Sequence, residues 1–258
     1  MPDPKARVLL LGASVQQSFS VAFQNAGLSA AGLDWRYEAV DVAPGRLASV
    51  IAEMRHDPST VGANVTIPHK EAVLPLLDMV DANARLIGAV NTISREGGRL
   101  LGFNTDGAGF IAALTELGFD PAGKTAVIVG AGGAARAVAA ALAAHAGLLW
   151  VVNRTRARAE QLCHDLAIDG GGALAWDDLD RVMRTASLLV NATPVDIEIK
   201  LPPAASTLYF DLRSRRAPSG RLMLLHQGLV SFQTWTGRPA PAAAMRAALT
   251  LAAEGAKA

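Results

Sequence analysis

The sequence predicts an α/β protein made of two α/β domains in series, and three observations carry that expectation. Short apolar runs ending in glycine or a polar residue alternate with longer stretches of helical spacing, the rhythm of strand–helix–strand units in mostly parallel sheets. The rhythm runs twice, once from Val8 and again from Lys124. The second series opens on a buried strand, a glycine-rich turn and a long alanine-rich helix, in that order.

Bulk composition agrees. A chain of 258 residues is long for one core and comfortable for two. Apolar residues make up 51%, ample for burial, while a formal charge of +1 lacks the basic excess of a nucleic-acid or membrane-surface protein. The single cysteine, Cys163, cannot close an internal disulfide, so a reducing cytoplasm is the expected compartment. The first twelve residues lack the apolar run of a signal peptide, and no eighteen apolar residues follow one another. The expectation is a soluble cytoplasmic protein without nucleic-acid or membrane partners, as monomer or homodimer.

Each element has its own signal. VLLLG (8–12) is a buried strand, and Ser20 is placed to cap a helix from Val21. YEAVDV (37–42) is the second strand, GRLASVIAEMRH (45–56) a helix and ANVTI (63–67) the third strand. Pro68 stops ladder pairing, and Lys70 opens the next helix. AVNTI (89–93) and RLLGFN (99–104) flank SREGG as a hairpin, and a helix begins just after Asp106. In the second series TAVIVG (125–130) leads to a helix closed by Gly147; LLWVVN, SLLVNA and TLYFDL are later strands. Leu222, Leu225, Leu229 and Phe232 lie on one helical stripe, and residues 241–255 form a final helix. The expected first domain covers 1–106, the second 107–237, and the segment 238–258 packs back on the first.

VIVGAGGAARA places Gly130, Gly132 and Ala135 in a G-x-G-x-x-A pattern between strand and helix. Small residues there let the chain turn tightly and let the backbone approach a pyrophosphate at the helix N-terminus, as in a Rossmann dinucleotide-binding domain. An NAD site normally offers Asp or Glu at the end of the following strand. Here that strand ends in Asn153, Arg154 and Thr155, with Arg158 a turn further on, so a 2′-phosphate meets guanidinium groups and the expected cofactor is NADP. The alternative is a solvated helix start for Arg154, Arg156 and Arg158.

Lys70 follows the C-terminal end of a parallel strand, where open α/β sheets bind ligands, and Asp106 ends the GFNTDG cluster. A lysine and an aspartate meeting at a cleft between domains make a proton-transfer pair. Spacing alone suits an ordinary surface lysine and a helix-capping aspartate equally well. The histidines 145, 164 and 226 lack metal-ligand spacing, so no metal is expected, and Cys163 reads as packing.

NVTIPHK (64–70), GAVNT (88–92), GFNTDG (102–107), GAGGAARA (130–137), NRTRARA (153–159) and MLLHQG (223–228) together resemble the shikimate dehydrogenase family, over residues 12–237. The resemblance implies an N-terminal substrate-binding domain, an NADP-binding Rossmann domain, a cleft between them, and reversible reduction of 3-dehydroshikimate to shikimate. Carried over, Lys70 matches the catalytic lysine and Asp106 its partner. Ser18 and Ser20 match the serines that hold the substrate carboxylate; Thr66, Asn91 and Gln227 match polar residues around the ring hydroxyls, with Asn64 and Thr105 as weaker candidates. Gly130, Ala131, Gly132, Gly133, Ala134, Asn153, Arg154, Thr155 and Arg158 match dinucleotide positions.

The chain also departs from the pattern. Gln17 and Val21 replace the histidine and proline of the family's H-S-x-S-P loop. Asp196 stands where glycine is usual, a carboxylate expected to crowd the nicotinamide side. Ser214 stands where a tyrosine helps bind the substrate carboxylate, and the stretch from Asp211 to Met223 has no room for the family's further helix and strand. A solvated RSRR loop is the preferred reading there, with Arg213, Arg215 or Arg216 as alternative sources of charge. These departures motivate two rivals: a paralogue acting on quinate or an amino-substituted analogue, and a non-catalytic dinucleotide-binding metabolite sensor.

Overall fold

The computed structural model describes residues 5–197 and 207–256; residues 1–4, 198–206 and 257–258 of the expected domains lie outside the described residues. The first strand, β1 (Ala6–Gly12), is buried along almost its whole length, as a strand covered on both faces must be. Helix α1 (Phe19–Ala30) starts two residues before Val21, so its cap is Ser18 and not Ser20. Ser18 Oγ accepts the Ser20 N–H at 3.2 Å. Strand β2 (Trp35–Asp41) and helix α2 (Leu47–His56) follow, α2 burying Leu47, Ile51 and Met54 at helical spacing.

Strand β3 (Thr60–Val65) ends just before the turn that carries Lys70. No helix opens at Lys70. The chain turns instead, reaching a short 3-10 stretch at Leu74–Leu76, because Pro75 has no N–H with which to continue a helix. Strand β4 (Met79–Val80) and helix α3 (Ala82–Ile87) are too short to leave a periodic signal in the sequence. Strands β5 (Thr92–Glu96) and β6 (Arg99–Phe103) form the expected hairpin, turning through Gly97 and Gly98 at φ +57° and +84°.

Helix α4 (Asp106–Glu116) starts on Asp106 itself. Strand β7 (Thr125–Val129), helix α5 (Gly133–Ala143), strand β8 (Leu148–Val152) and helix α6 (Arg156–Asp165) form the expected strand–helix pairs. α5 stops at Ala143 short of Gly147, which enters the next strand where a Cβ would lie 2.6 Å from Gly123 O. Strand β9 (Gly171–Leu174) and helix α7 (Leu179–Met183) precede β10 (Leu188–Asn191) and β11 (Leu208–Asp211). Helices α8 (Pro218–Thr236) and α9 (Ala242–Gly255) come last, and no described helix is long and apolar enough to cross a membrane.

The described chain forms two compact units: residues up to Thr105 with those from Leu224 onward, and Asp106–Met223. The sequence-based seams lie at 106 and 237, whereas the second contact boundary falls inside α8. The expected stripe on α8 divides accordingly. Leu222 packs against the core of the second unit, and Leu225, Leu229 and Phe232 against that of the first.

In the first unit the strand order is β2-β1-β3-β5-β6-β4. β2, β1 and β3 run parallel, and β5 reverses against both β3 and β6, as a tight hairpin demands. Alternate residues of β1 feed two cores: Val8 and Leu10 meet Phe23, Phe232 and Met245, while Leu9 and Leu11 meet Ile51, Ala63 and Ile93. The second unit is an all-parallel sheet, order β11-β10-β7-β8-β9. The chain winds from β7 through β8 to β9, then returns to β10 on the other side of β7. That reversal makes the C-terminal end of β7 a switch point.

Candidate functional site

The first unit gathers its polar residues around the ends of β1, β3 and β5. Gly12 ends β1 against Thr66, and a Cβ at Gly12 would overlap Thr66 Cγ2. The turn after β3 contains a cis Ile67–Pro68 bond and is held from inside by His69, whose buried ring Nε2 lies 2.7 Å from Val42 O. Lys70 is half-buried, and its carbonyl accepts the Val90 N–H at 2.8 Å. The neighbouring Asn91 carbonyl accepts the Val65 N–H at 2.8 Å. Thr66, Lys70 and Asn91 therefore sit on adjoining backbone, fixed by ladder-like bonds rather than by a helix.

Behind that turn lies a buried polar layer. Asn91 Oδ1 accepts the Thr105 N–H at 2.8 Å and the Thr92 hydroxyl at 2.9 Å; Asn91 Nδ2 donates to Thr105 Oγ1 at 2.9 Å and to Gln227 Oε1 at 3.2 Å. Gln227 Nε2 donates to Leu224 O at 2.8 Å, which fixes the orientation of its amide. Asn64 donates to Asn91 O, Thr92 Oγ1 and Ser231 Oγ and accepts the Tyr37 hydroxyl at 2.8 Å, so it belongs to the framework. Burial raises the Tyr37 phenol far above its ordinary value, an effect only partly opposed by a hydrogen bond with Ser20. Ser20 is buried, and Ser18, half-buried, caps α1. Sequence reading brought forward Asn91, Thr105 and Gln227 but missed Tyr37, His69, Thr92 and Ser231. Of these, Ser231 carried a usable signal, lying four residues after Gln227 on one helical face.

Asp106, 4% exposed, opens α4 as the first residue of the second unit. At the switch point of that unit, Gly130 has φ +122°, and a Cβ there would lie 2.9 Å from Ala192 O. Gly132 is extended, with nothing within 4 Å of where its Cβ would be, and no side chain caps α5. An anion can reach the first N–H groups of α5 over Gly132, Gly133 and Ala134, while Ala131 and Ala135 are buried beneath. After β8, Asn153 is half-buried and bonded to Thr155 O at 2.9 Å; Arg154, Thr155 and Arg158 are exposed. Arg156 turns away to pair with Glu160 at 2.8 Å. This turn leaves the start of α5 open over Gly132 and, at the end of β8, places Asn153 where NAD sites carry a carboxylate.

The RSRR loop is not simply solvated. Arg213 holds the buried Asp211 through several bonds and reaches Asp196 Oδ1 at 2.7 Å. Its side chain is only 16% exposed, and only Arg215 and Arg216 fit the solvated reading. The Asp196 carboxylate is drawn onto Arg213 and, at 3.6 Å, Arg216. Asn191, fully buried, braces the intervening loop by accepting the Thr193 N–H and donating to Val195 O. Burial pushes the Cys163 thiol up to about 11, the behaviour of a packed thiol rather than a nucleophile.

Three family models match the chain: the shikimate dehydrogenase substrate binding domain over residues 10–93, shikimate / quinate 5-dehydrogenase over 113–199, and the shikimate 5'-dehydrogenase C-terminal domain over 220–250. The shikimate dehydrogenase (NADP(+)) of Moorella thermoacetica is 46% identical, the match covering 92% of this chain and 90% of that one. That of Methanopyrus kandleri is 41% identical over 93% of each. The crystal structure of shikimate 5-dehydrogenase from Thermus thermophilus, in complex with NADP(H) and shikimate, superposes with a TM-score of 0.85. It is 35% identical, with 96% of this chain and 99% of that one covered.

Proposed function

Because this chain belongs to the shikimate dehydrogenase family, we propose that it catalyses the reversible, NADP-dependent reduction of 3-dehydroshikimate to shikimate. The observation that carries the reading is the buried polar layer of the first unit. Asn91 and Gln227, 136 residues apart in sequence, meet at 3.2 Å beside the turn that bears Lys70. A set of neutral amides and hydroxyls suits a polyhydroxylated ring, because a substrate lacking a hydroxyl leaves a buried partner unpaired.

The second unit fits NADP. Open space over Gly132 and the uncapped start of α5 suit the pyrophosphate, and Arg154, Arg158 and Thr155 suit a 2′-phosphate, with Asn153 in place of a repelling carboxylate. Bound NADP supplies the hydride acceptor or donor. Lys70 moves the proton at the reacting hydroxyl oxygen, and Asp106 orients its amine. Ser18 and Ser20 hold the substrate carboxylate; Thr66, Asn91 and Gln227 take ring hydroxyls. A buried free thiol supports the cytoplasm as the compartment, and the partner is a small molecule.

The decisive measurement is reduced-nicotinamide absorbance with shikimate and quinate, each with NADP and NAD. Shikimate with NADP should be the fastest pair, and Lys70→Ala should abolish turnover while NADP still binds. Quinate or an amino-substituted analogue outrunning shikimate would favour the paralogue, for which Ser214 is the motivating residue. Wild-type protein that binds NADP yet oxidises no alcohol would instead be a sensor.

A further inference from the structure

We propose that Gly228 is a positioning residue: its bare backbone lets α8 lie directly on α1, and that close approach sets the span between the carboxylate-binding start of α1 and the ring-hydroxyl contact at Gln227. The inference rests on the functional reading above and extends it from the groups that touch the substrate to the distance between them.

Ser20, Phe23 and Gln24 stand at i, i+3 and i+4 on α1, so they share one face, and all three are buried. Gly228, next to Gln227 on α8, meets that face. A Cβ there would lie 2.5 Å from Phe23 Cε2, 2.7 Å from Phe23 Cζ and 3.0 Å from Gln24 Nε2. Gln24 Nε2 also donates to Gly228 O at 3.0 Å, a buried bond that ties the two helices at the same point.

Neither neighbour yields freely to a methyl group. The Phe23 ring is 0% exposed, packed into the core that holds Val8, Phe232 and Met245, and Gln24 would give up its bond to α8. Further along α8 the helix is anchored to the sheet. Ser231 Oγ lies 2.8 Å from Thr92 Oγ1, and Trp235 Nε1 donates to Ile93 O at 2.9 Å. Trp235 also fills the space over Gly62, where a Cβ would lie 2.4 Å from its ring. With those anchors held, a side chain at position 228 tilts the near end of α8 away from α1. The Gln227 amide is bonded within α8, to Leu224 O, and travels with the helix. Ser20, one helical turn from Gln24, stays with α1. A ring held by its carboxylate at Ser18 and Ser20 then no longer reaches Gln227, although every group that touches it is intact.

The test compares wild type with Gly228→Ala, Phe23→Leu and the double variant. The substrates are shikimate and its homologue with one methylene between ring and carboxylate, each with NADP. Gly228→Ala should raise the KM for shikimate on the order of tenfold, with the KM for NADP changing much less, and should shift the preference toward the longer homologue by a similar factor. Phe23→Leu alone should lower the melting temperature yet keep the wild-type preference. The double variant, in which the ring atoms facing the new methyl are gone, should recover most of the shikimate KM despite carrying two core changes. An unchanged preference in Gly228→Ala, or a double variant no better than the single one, would overturn the proposal. Should Gly228→Ala fail to fold, the double variant decides: it must fold and keep the wild-type preference, and failure in either respect defeats the inference. A wild-type protein that oxidises no cyclohexene carboxylate with NADP defeats the functional reading and this inference with it. Wild-type turnover with unaltered variants defeats the inference alone.

Discussion

Tyr37 donates its hydroxyl hydrogen to Asn64 Oδ1 at 2.8 Å while being 1% exposed, and Asn64 is itself only 6% exposed. Tyr37→Phe keeps the ring contacts with Trp235, whose centroid lies 6.0 Å away, and removes only that hydrogen. The loss should cost about 1–3 kcal/mol, the desolvation penalty of a stranded acceptor, read as a lower urea midpoint with unchanged slope. The same hydroxyl predicts a response to alkali. Its folded-state pKa is raised by burial, so its contribution is complete below the ordinary phenol value near 10 and is lost as pH rises beyond it. Wild-type stability should therefore fall more steeply above about pH 10 than that of the Phe variant, and equal slopes would refute the assignment. At Gly130 the backbone, not a side chain, sets the constraint. Gly130→Ala forces a Cβ into the φ +122° region and against Ala192 O, and should lower both stability and NADP affinity.

The short strand β11 is the edge of its sheet, and the outward Asp211 N–H is covered by Ser219 Oγ at 3.0 Å from the first turn of α8. Arg213 then fastens the loop after β10 to the loop after β11 by binding Asp196 and Asp211 together. Arg213→Ala leaves the Asp211 carboxylate, 4% exposed, without its cation and should cost about 3 kcal/mol, the lower end for a broken buried pair because the guanidinium is partly exposed. Asp196→Gly should cost far less, since that carboxylate is 69% exposed. A ranking in which Asp196→Gly is the more damaging in thermal denaturation would rule out this account. Little of this was legible in RSRR: Asp211 stands only two residues before Arg213, but Asp196 belongs to the loop after β10. Elements with long apolar runs, such as β1, β7 and β8, were legible, and so was the hairpin through Gly97 and Gly98. Pro75 cancelled the helix expected at Lys70, and β4, β9, α3 and α7 were too short to show a period. In the site, the amides and the glycine turn could be read from motifs, whereas Tyr37 and His69 became visible only through contacts with residues distant in sequence.

Across the whole molecule, carboxylates with depressed proton affinity occur in both units, and they predict how it responds to acid. Asp57 is held below the usual carboxylate range chiefly by the Thr60 and Ser59 hydroxyls, and Asp78 chiefly by the Leu100 N–H. In the second unit Asp165 is lowered chiefly by the Gln161 amide. At Asp211 burial pushes the proton affinity up, and Arg213 more than offsets it. Each group binds its proton less readily folded than unfolded. Its contribution is therefore present above the ordinary value near 4 and disappears as pH falls through the depressed one. The melting temperature should be nearly level from neutrality to about pH 5 and then decline steeply below about pH 4. Three of the four carboxylates owe their largest lowering to neutral donors, which salt does not screen, so 1 M sodium chloride should leave the position of this decline nearly unchanged. A displacement of a full pH unit by salt would mean that ion pairs such as Arg7–Asp57 and Arg136–Asp165, rather than hydroxyl and amide donors, dominate the acid limb.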